Sequence, residues 1–599
     1  MASLRDELDF LLYRWLDVEA LTSRRRYAEH SRGTFDALLD SSERIARERF
    51  APANRAADVE EPRFDGGGVR LPQTTADALR AYAESGLLAA GHDYDAGGMQ
   101  LPYVIDMAAN AFFAMASVSL HAFGMLTYAN ANLILAHGTK RQREAFARPA
   151  IEGRLFGTMA LSEPQAGSSL GDITTIALPD GKDYELDPLG PRYRLRGHKM
   201  WISGAEHDLG ENIVHLVLAK TPGSDGRPQA GVKGISLFIV PRLLLDGAGH
   251  ATRERNDVAL AGLNHKLGYR GIPNTLLNLG ERDGAAGYRV GAPGEGLALM
   301  FHMMNEARID IGLGAAMTGY AGYVASLEYA RTRLQGRMRG SDPSSPQVRI
   351  IEHADVKRML LAQKAYCEGA LALCLYCARL VDDRRAGDER CAADAALLLD
   401  LLTPIAKSWP SEWCLEANSL AIQVLGGYGY TRDFPVEQYW RDNRLNMIHE
   451  GTHGIQALDL LGRKVRAADG RAMAAWRARV EATCERARRD VSLAPWAHAL
   501  FAAAQDVDAA ARSAWSDEDS RLALANATPF MQAFGHTVIA WMWLDVAAAA
   551  SSQARSDLFR GKRMATRYFF DYELPKTAAW LRVVAERNAT CADMQDTWF

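Results

Sequence analysis

Glu450 stands between His449 and Gly451 in the stretch NMIHEGTHGIQALDLL, just ahead of an amphipathic run formed by Ile455, Leu458 and Leu461. A carboxylate beside glycine at the entry to a helix suits a site better than a core, because the backbone there can approach a ligand closely. The same letters admit a second chemistry. His449-Glu450-Gly451-Thr452-His453 spells H-E-x-x-H, in which two imidazoles one helical turn apart hold zinc and the carboxylate serves as base. That arrangement requires an unbroken helix, where Gly451 is a poor interior residue and Thr452 a mediocre one. No third ligand follows in a recognisable frame.

Other residues of chemical interest lie upstream. The segment GTMALSEPQAGSSLGDITTIA (157–177) gathers Ser162, Ser168 and Ser169 with glycine-flanked amides, a composition suited to an anion or a polar ring edge. It reads as a loop feeding a strand, and its bland alternative is an interdomain linker. Trp201 stands two residues before Ser203 in KMWISG, at a strand end where core and site are equally open readings. Arg308, Arg333 and Gln335 fall on a helical stretch, where such arginines alone would be ordinary surface charges. Cys374 and Cys377 form a single CxxC inside the apolar run LALCLYC, which favours packing over metal or redox work.

The elements that must position these residues follow from periodicity. With 599 residues the chain exceeds one ordinary domain. Residues 1–40 read as a helical extension, with Leu4, Leu8, Leu11, Leu12 and Trp15 at helical spacing and no targeting signal. Residues 41–156 read as a helical domain with long periodicity at 75–92 and 102–137, and 157–290 as a β domain with strand alternation from Tyr193 and Leu195 onward. Residues 291–468 return to helices, and 469–599 form a further helical region with no recognisable chemistry. The apolar stretches near 101–126 and 537–550 are broken by Asp106, Asn110 and Asp545 and read as buried helices, not membrane spans. A formal charge of −4 argues against a general nucleic-acid binder, and seven unpatterned cysteines suit a reducing compartment. The expectation is a soluble cytoplasmic protein.

Taken in order, five blocks resemble the flavin-dependent acyl-CoA dehydrogenases over about residues 75–465: L-S-E-P-x-A-G-S, W-I-S, N-x-x-R, R-x-Q, and Q-V-L-G-G-Y-G-Y with I-x-E-G-T. The extra helices at both ends resemble the long-form branch of that family. The resemblance implies a mostly α chain with a central β domain: a helical N domain, a barrel-like middle domain, a helical-bundle C domain and a C-terminal helical extension. It implies FAD as cofactor and an acyl-CoA substrate, with Glu450 as catalytic base. FAD contacts are implied for Met159, Leu161, Ser162, Gly167, Ser168, Trp201, Ile202, Ser203, Arg333, Gln335, Gln423, Gly426, Gly427, Thr452 and Gly454. Substrate contacts are implied for Ser168, Asn305, Arg308 and Gly451, and no metal is implied. Arg333 and Gln335, at the end of one helix, would reach the flavin of a neighbouring subunit, which implies a homodimer. An electron-transfer flavoprotein would be the electron acceptor.

Some positions depart from the pattern. Ser169 stands where Asp is usual, Ala354 follows His353 where Gln is frequent, His449 replaces a common Tyr, and Gly454 occupies the place of a flavin-contacting Gln of short-form members. Ala307 fills the position at which some members carry the base, which favours Glu450. Three alternatives remain at this point: an acyl-CoA oxidase using O2, a DNA-binding or damage-response relative, and a zinc protease. The intact Glu450 and the negative net charge speak against the second.

Overall fold

The computed structural model describes residues 3–66, 68–223, 226–227, 229–517, 519–550 and 556–599, apart from the side chains of 302–305. Asn305, expected to contact substrate, therefore falls outside the described side chains. The chain forms two compact units, one of Ala37–Leu101 with Phe112–Ala307 and one of Met1–Asp36 with Pro102–Ala111 and Arg308–Phe599.

In the first unit, helices precede an eight-stranded sheet. Aromatic side chains of these helices pack in the core. Phe113 meets Phe50 and Tyr82 edge-on, each at 4.9 Å between ring centres. The helix expected over 75–92 is Gln73–Glu84, because the chain turns at Gly86 with φ +78°. Strand β1 (Leu155–Ala160) runs from the end of the expected helical domain into the stretch read as a loop. Both its faces are buried, so it shows no alternation. Asn130 of the helix Val118–His137 donates to the carbonyls of Thr158 and Val214, at 3.0 Å each, and fastens that helix to the sheet.

Beyond β1 come β2 (Ile176–Pro179), β3 (Arg192–Ser203), β4 (Asn212–Lys220), β5 (Ile235–Pro241), β6 (Val258–Leu263), β7 (Asn274–Leu279) and β8 (Ala285–Val290). Their order is β6-β7-β3-β8-β5-β4-β1, with β2 pairing along β3 and meeting β4 at Ile176–Lys220. Strands β3, β8, β5, β4 and β2 thereby form a closed circuit, the barrel-like middle expected from the sequence. Tyr193, Leu195, Phe238, Val240 and Leu277 fill it.

In the second unit the principal helices are α1 (Gly296–Thr332, which enters it at Arg308), α2 (Ala354–Ala386), α3 (Glu389–Leu425), α4 (Val436–Asn443) and α5 (His453–Gly462). They are followed by α6 (Arg471–Arg488), α7 (Ala494–Ala514), α8 (Ala527–Ala550), α9 (Asp557–Tyr568) and α10 (Thr577–Ala585). Helix α8 is long and apolar enough to cross a membrane, yet 83% of its most apolar window is buried inside the protein, as expected for a core helix. Gly369 of α2 lets the Trp543 indole lie close, and that indole donates to the Ala365 carbonyl at 3.1 Å. Cys374 and Cys377 are fully buried core residues. One cluster of charge is sealed among these helices. Lys562 of α9 pairs with Glu7 near the N-terminus and with Glu368 of α2 at 2.9 Å, and Lys364 also pairs with Glu368.

Candidate active site

Glu450 sits on a turn between α4 and α5, at φ +51°, with Gly451 following at φ +87°. A positive φ is costly for a residue with a Cβ and persists only where the surroundings impose it. Those surroundings are specific. The Gln456 amide donates to the Glu450 carbonyl at 3.0 Å, and the Lys407 ammonium donates to the Gly451 carbonyl at 2.9 Å. Thr452 caps α5, accepting from the Ile455 N–H at 3.4 Å. From the other side a chain of amides reaches the turn: Asn418 bonds Asn443 at 2.7 Å, Asn443 bonds Asn446 at 3.0 Å, and Asn446 meets the His449 ring at 3.0 Å. The helix that an H-E-x-x-H zinc site needs is not formed. α5 begins only at His453, whose ring faces Glu412 at 3.3 Å, while His449 lies in the turn and faces Asn446.

Lys407 reaches the turn from a disturbed stretch of α3, between Pro404 and Pro410. Pro410 deprives the Ala406 carbonyl of its helical N–H, and that carbonyl faces Gly312 of α1 so closely that a Cβ there would stand 1.9 Å from it. Only glycine permits this approach. Burial raises the pKa of Glu450, and the positive charges of Lys407 and Arg308 pull it partly back. Burial lowers that of Lys407 to about 7, against the attraction of Glu450 and with the repulsion of Arg308. Arg308 is itself buried and pairs with Asp459 of α5 at 3.2 Å. Burial also holds His453 down at about 4, so its ring is neutral near pH 7.

The β domain carries a second group of expected residues. The register between β3 and β7 slips between Thr275 and Leu277, so that Met200 and Trp201 together oppose a single partner position. Trp201 takes φ +68° in this bulge and is 58% exposed, an unusual posture for a residue with so large an apolar side chain. Beside it, the loop after β1 is folded by a buried ion pair. Glu163 lies 3.0 Å from Lys199, and it also accepts from the N–H groups of Thr174 at 2.6 Å and Thr175 at 3.0 Å. The Lys199 ammonium also donates to the Leu161 carbonyl at 3.0 Å. Ser162 accepts from the Met200 N–H at 3.0 Å. Gly167 and Ser168 are exposed at the loop tip. Ser203 accepts from Asn274 at 3.2 Å, and Met159 is buried in β1. Ile202 lies next to Trp201. Its side chain belongs to the barrel core, because the bulge turns Trp201 outward and its successor inward, so only its backbone could meet a cofactor.

A third group meets in the second unit. Arg333, Gln335, Gly426 and Gly427 line one pocket of about 500 Å³ together with Tyr329 and Tyr428. Arg333 and Gln335 are not on the helix, as the sequence suggested. α1 ends at Thr332, and the chain then pairs Leu334 with Arg349 before turning at Gly336, φ +70°. The Arg333 guanidinium lies over the Tyr428 ring at 5.6 Å and has no carboxylate partner among the described residues. Gln423 is exposed one turn before Gly426. At Gly426, Gly427 and Gly454 a Cβ would meet nothing within 4 Å, so the backbone there is open to a ligand.

Family patterns match in sequence order. Those described as acyl-CoA dehydrogenase N-terminal, middle and C-terminal domains cover residues 34–154, 158–279 and 294–465. A fourth, described as acetyl-CoA dehydrogenase C-terminal like, covers 476–595. The chain is 36% identical over 555 residues to the 3-methylmercaptopropionyl-CoA dehydrogenase of Ruegeria pomeroyi, spanning 91% of this chain and 90% of that one. It belongs to the acyl-CoA dehydrogenase family. A butyryl-CoA dehydrogenase of Syntrophomonas wolfei is 31% identical and is matched over 99% of this chain and 98% of its own length. The fold is also that of an acyl-CoA dehydrogenase of Bacillus anthracis solved with FAD, with TM-score 0.75, 19% identity, and coverage of 95% of this chain and 90% of that one. As a member of the family this chain is an oxidoreductase. The sequence reading did not single out Lys407 and Gln456, which hold the Glu450 turn, nor Glu163 and Lys199, which hold the loop of the β domain. Lys199 alone carried a signal, since it follows Tyr193 and Leu195 on the inward phase of β3.

Proposed function

We propose that this acyl-CoA dehydrogenase removes the α and β hydrogens of an acyl-CoA thioester to give the trans-2-enoyl-CoA, with Glu450 as the α-proton base. The observation that carries this reading is the Glu450 turn, a carboxylate held in a strained backbone beside two buried cations, with a raised pKa. A general base works best with a pKa brought toward the operating pH. FAD suits the residues present. The Arg333 guanidinium, which has no carboxylate partner among the described residues, matches a pyrophosphate, and the outward Trp201 indole offers a face to an isoalloxazine ring. When bound, FAD supplies the acceptor for the hydride that leaves Cβ. Glu450 takes the α-proton, and its own N–H meets the thioester oxygen as enolate charge develops. Arg308, already paired with Asp459, shapes the field around the carboxylate. The Glu163–Lys199 pair keeps the loop bearing Ser162 and Ser168 in one conformation.

The Arg333 pocket serves the flavin of a second subunit in this reading, so the working form is a homodimer, and an electron-transfer flavoprotein reoxidises it. The test is anaerobic titration of the purified protein with acyl-CoA thioesters, beginning with the short acyl groups named for its relatives. Loss of the flavin absorbance with at least one thioester is expected. A colourless protein that cannot be reconstituted with FAD would overturn the reading, and peroxide released at every turnover would make it an oxidase.

A further inference from the structure

The turn that bears Glu450 is held by two bonds to successive carbonyls, and one of them comes from a charged group. Lys407 is fully buried, lies in the helix stretch bounded by two prolines, and spends its ammonium on the Gly451 carbonyl at 2.9 Å. No carboxylate stands within ion-pair distance of it among the described residues. Burying an ammonium costs several kcal/mol, and one neutral carbonyl is small compensation for packing alone. A methionine would fill the same space without that cost. The ammonium is therefore at odds with a structural role and is explained by what it does to the turn.

We infer that Lys407 is the positioning residue of the catalytic carboxylate: its ammonium clamps the Gly451 carbonyl, holds Glu450 at φ +51°, and sets the electrostatic field in which Glu450 gives and takes its proton. This rests on the reading of Glu450 as base. The charged and titratable groups around Lys407 come from several elements. Glu450 and His453 flank the turn, Glu412 lies one and a half turns along α3 and faces His453, and Arg308 of α1 pairs with Asp459 of α5. His453 is neutral near pH 7, and Arg308 is bound to its own carboxylate. Below its own pKa of about 7, and so over the acid limb, Lys407 is thus the cation whose loss the Glu450 carboxylate registers directly. Its effect on Glu450 is to lower a pKa that burial has raised. Removing the ammonium therefore moves the Glu450 pKa upward. The carboxylate is then protonated over a wider range of pH, and the acid limb of the rate profile moves to higher pH.

The experiment compares the wild-type holoenzyme with Lys407→Met and Lys407→Gln in a dye-coupled assay across the pH range, with FAD content and melting temperature measured alongside. Wild type and Glu450→Gln come first. If wild type oxidises no acyl-CoA, the reading of the reaction fails and this inference with it; if wild type is active and Glu450→Gln is not, the lysine is tested by itself. Lys407→Met should lower kcat about 10- to 100-fold, with less than a threefold change in KM, and move the acid limb of kcat/KM up by about one pH unit. Lys407→Gln keeps a donor for the Gly451 carbonyl but loses the charge, so it should recover part of kcat while the limb stays displaced. Wild-type kcat and an unmoved limb in both variants would overturn the inference. So would losses that merely follow FAD content and melting temperature with the limb in place. Should Lys407→Met fail to fold, the position of the limb in Lys407→Gln decides.

Discussion

Glu163→Gln removes the charge of one buried carboxylate and keeps its shape, although the single amide oxygen can accept from only one of the Thr174 and Thr175 N–H groups, which bond different carboxylate oxygens. In the wild type the two halves of the ion pair pull in opposite directions. Burial raises the Glu163 pKa, but Lys199 and the threonine donors outweigh it and hold the value at about 2, against an ordinary 4.5. Burial lowers Lys199 to about 8 from 10.5, with Glu163 opposing. The attraction between the two charges works against the burial of each, so the intact pair adds little net stability. Its carboxylate share is complete above pH 4.5 and is lost as pH falls toward 2. Removing one charge is another matter. The stranded Lys199 can shed its proton, which at pH 7 costs at most 1.36 times 3.5 units, about 5 kcal/mol. Glu163→Gln should therefore cost about 3–5 kcal/mol at pH 7, seen as a drop of about 10 °C in the melting transition of the β domain. The pH dependence gives the sharper signature. A neutral Lys199 in the folded variant makes its stability rise by about 1.4 kcal/mol from pH 7 to 8. The wild type, with its lysine still mostly protonated, rises far less over that interval, and the gap narrows by about 1 kcal/mol. Glu163→Gln combined with Lys199→Met should recover most of the loss. Melting within 2 °C of wild type, or a deficit that does not change between pH 7 and 8, would refute the argument.

Glu450→Gln should retain FAD, being nearly isosteric, while turnover falls by about two to four orders of magnitude; retained activity would place the base elsewhere. Because the Glu450 pKa is raised and the base works deprotonated, kcat/KM should fall with decreasing pH through a midpoint above 4.5, and a midpoint at or below that value would contradict the burial of the carboxyl. Arg333→Ala should weaken FAD retention, with dilution releasing flavin and separating subunits together; a monomer with full FAD would show that each chain holds its flavin alone. Lys562→Met leaves Glu7 and Glu368 facing each other and should cost about 3–5 kcal/mol, read by chemical denaturation at neutral pH.

What the sequence made legible was what is contiguous. Glu450 with Gly451, the glycines at 426 and 427, and Trp201 announced themselves through short patterns, and the pocket that joins Arg333 to Gly426 followed from family order. What it hid depends on partners distant in sequence. Lys407 reads as one polar residue in an apolar helix, and only the folded turn 44 residues later gives its ammonium a purpose. Glu163 and Lys199, 36 residues apart, each look like a surface charge until β3 is placed inward. Strand β1 lacked alternation because it is covered on both sides, and the end of α1 was misjudged because pairing of Leu334 with Arg349 overrides local helical preference. Arg308 illustrates the converse. Its position was found by pattern, but its pairing with Asp459 required the structure.

The sealed cluster around Lys562 has a consequence for how the chain is made. Glu7 and Lys562 are 555 residues apart, so at about 5–20 residues per second the ribosome delivers the lysine roughly half a minute to two minutes after the glutamate. During that interval Glu7 and the later Glu368 cannot be enclosed together without exposing the core to unbalanced negative charge. The first helix must wait, wet, beside its future neighbours. This half of the molecule therefore closes late, and a ribosome stalled before α9 should carry a nascent chain whose β domain resists protease while its N-terminal helix remains open to cleavage.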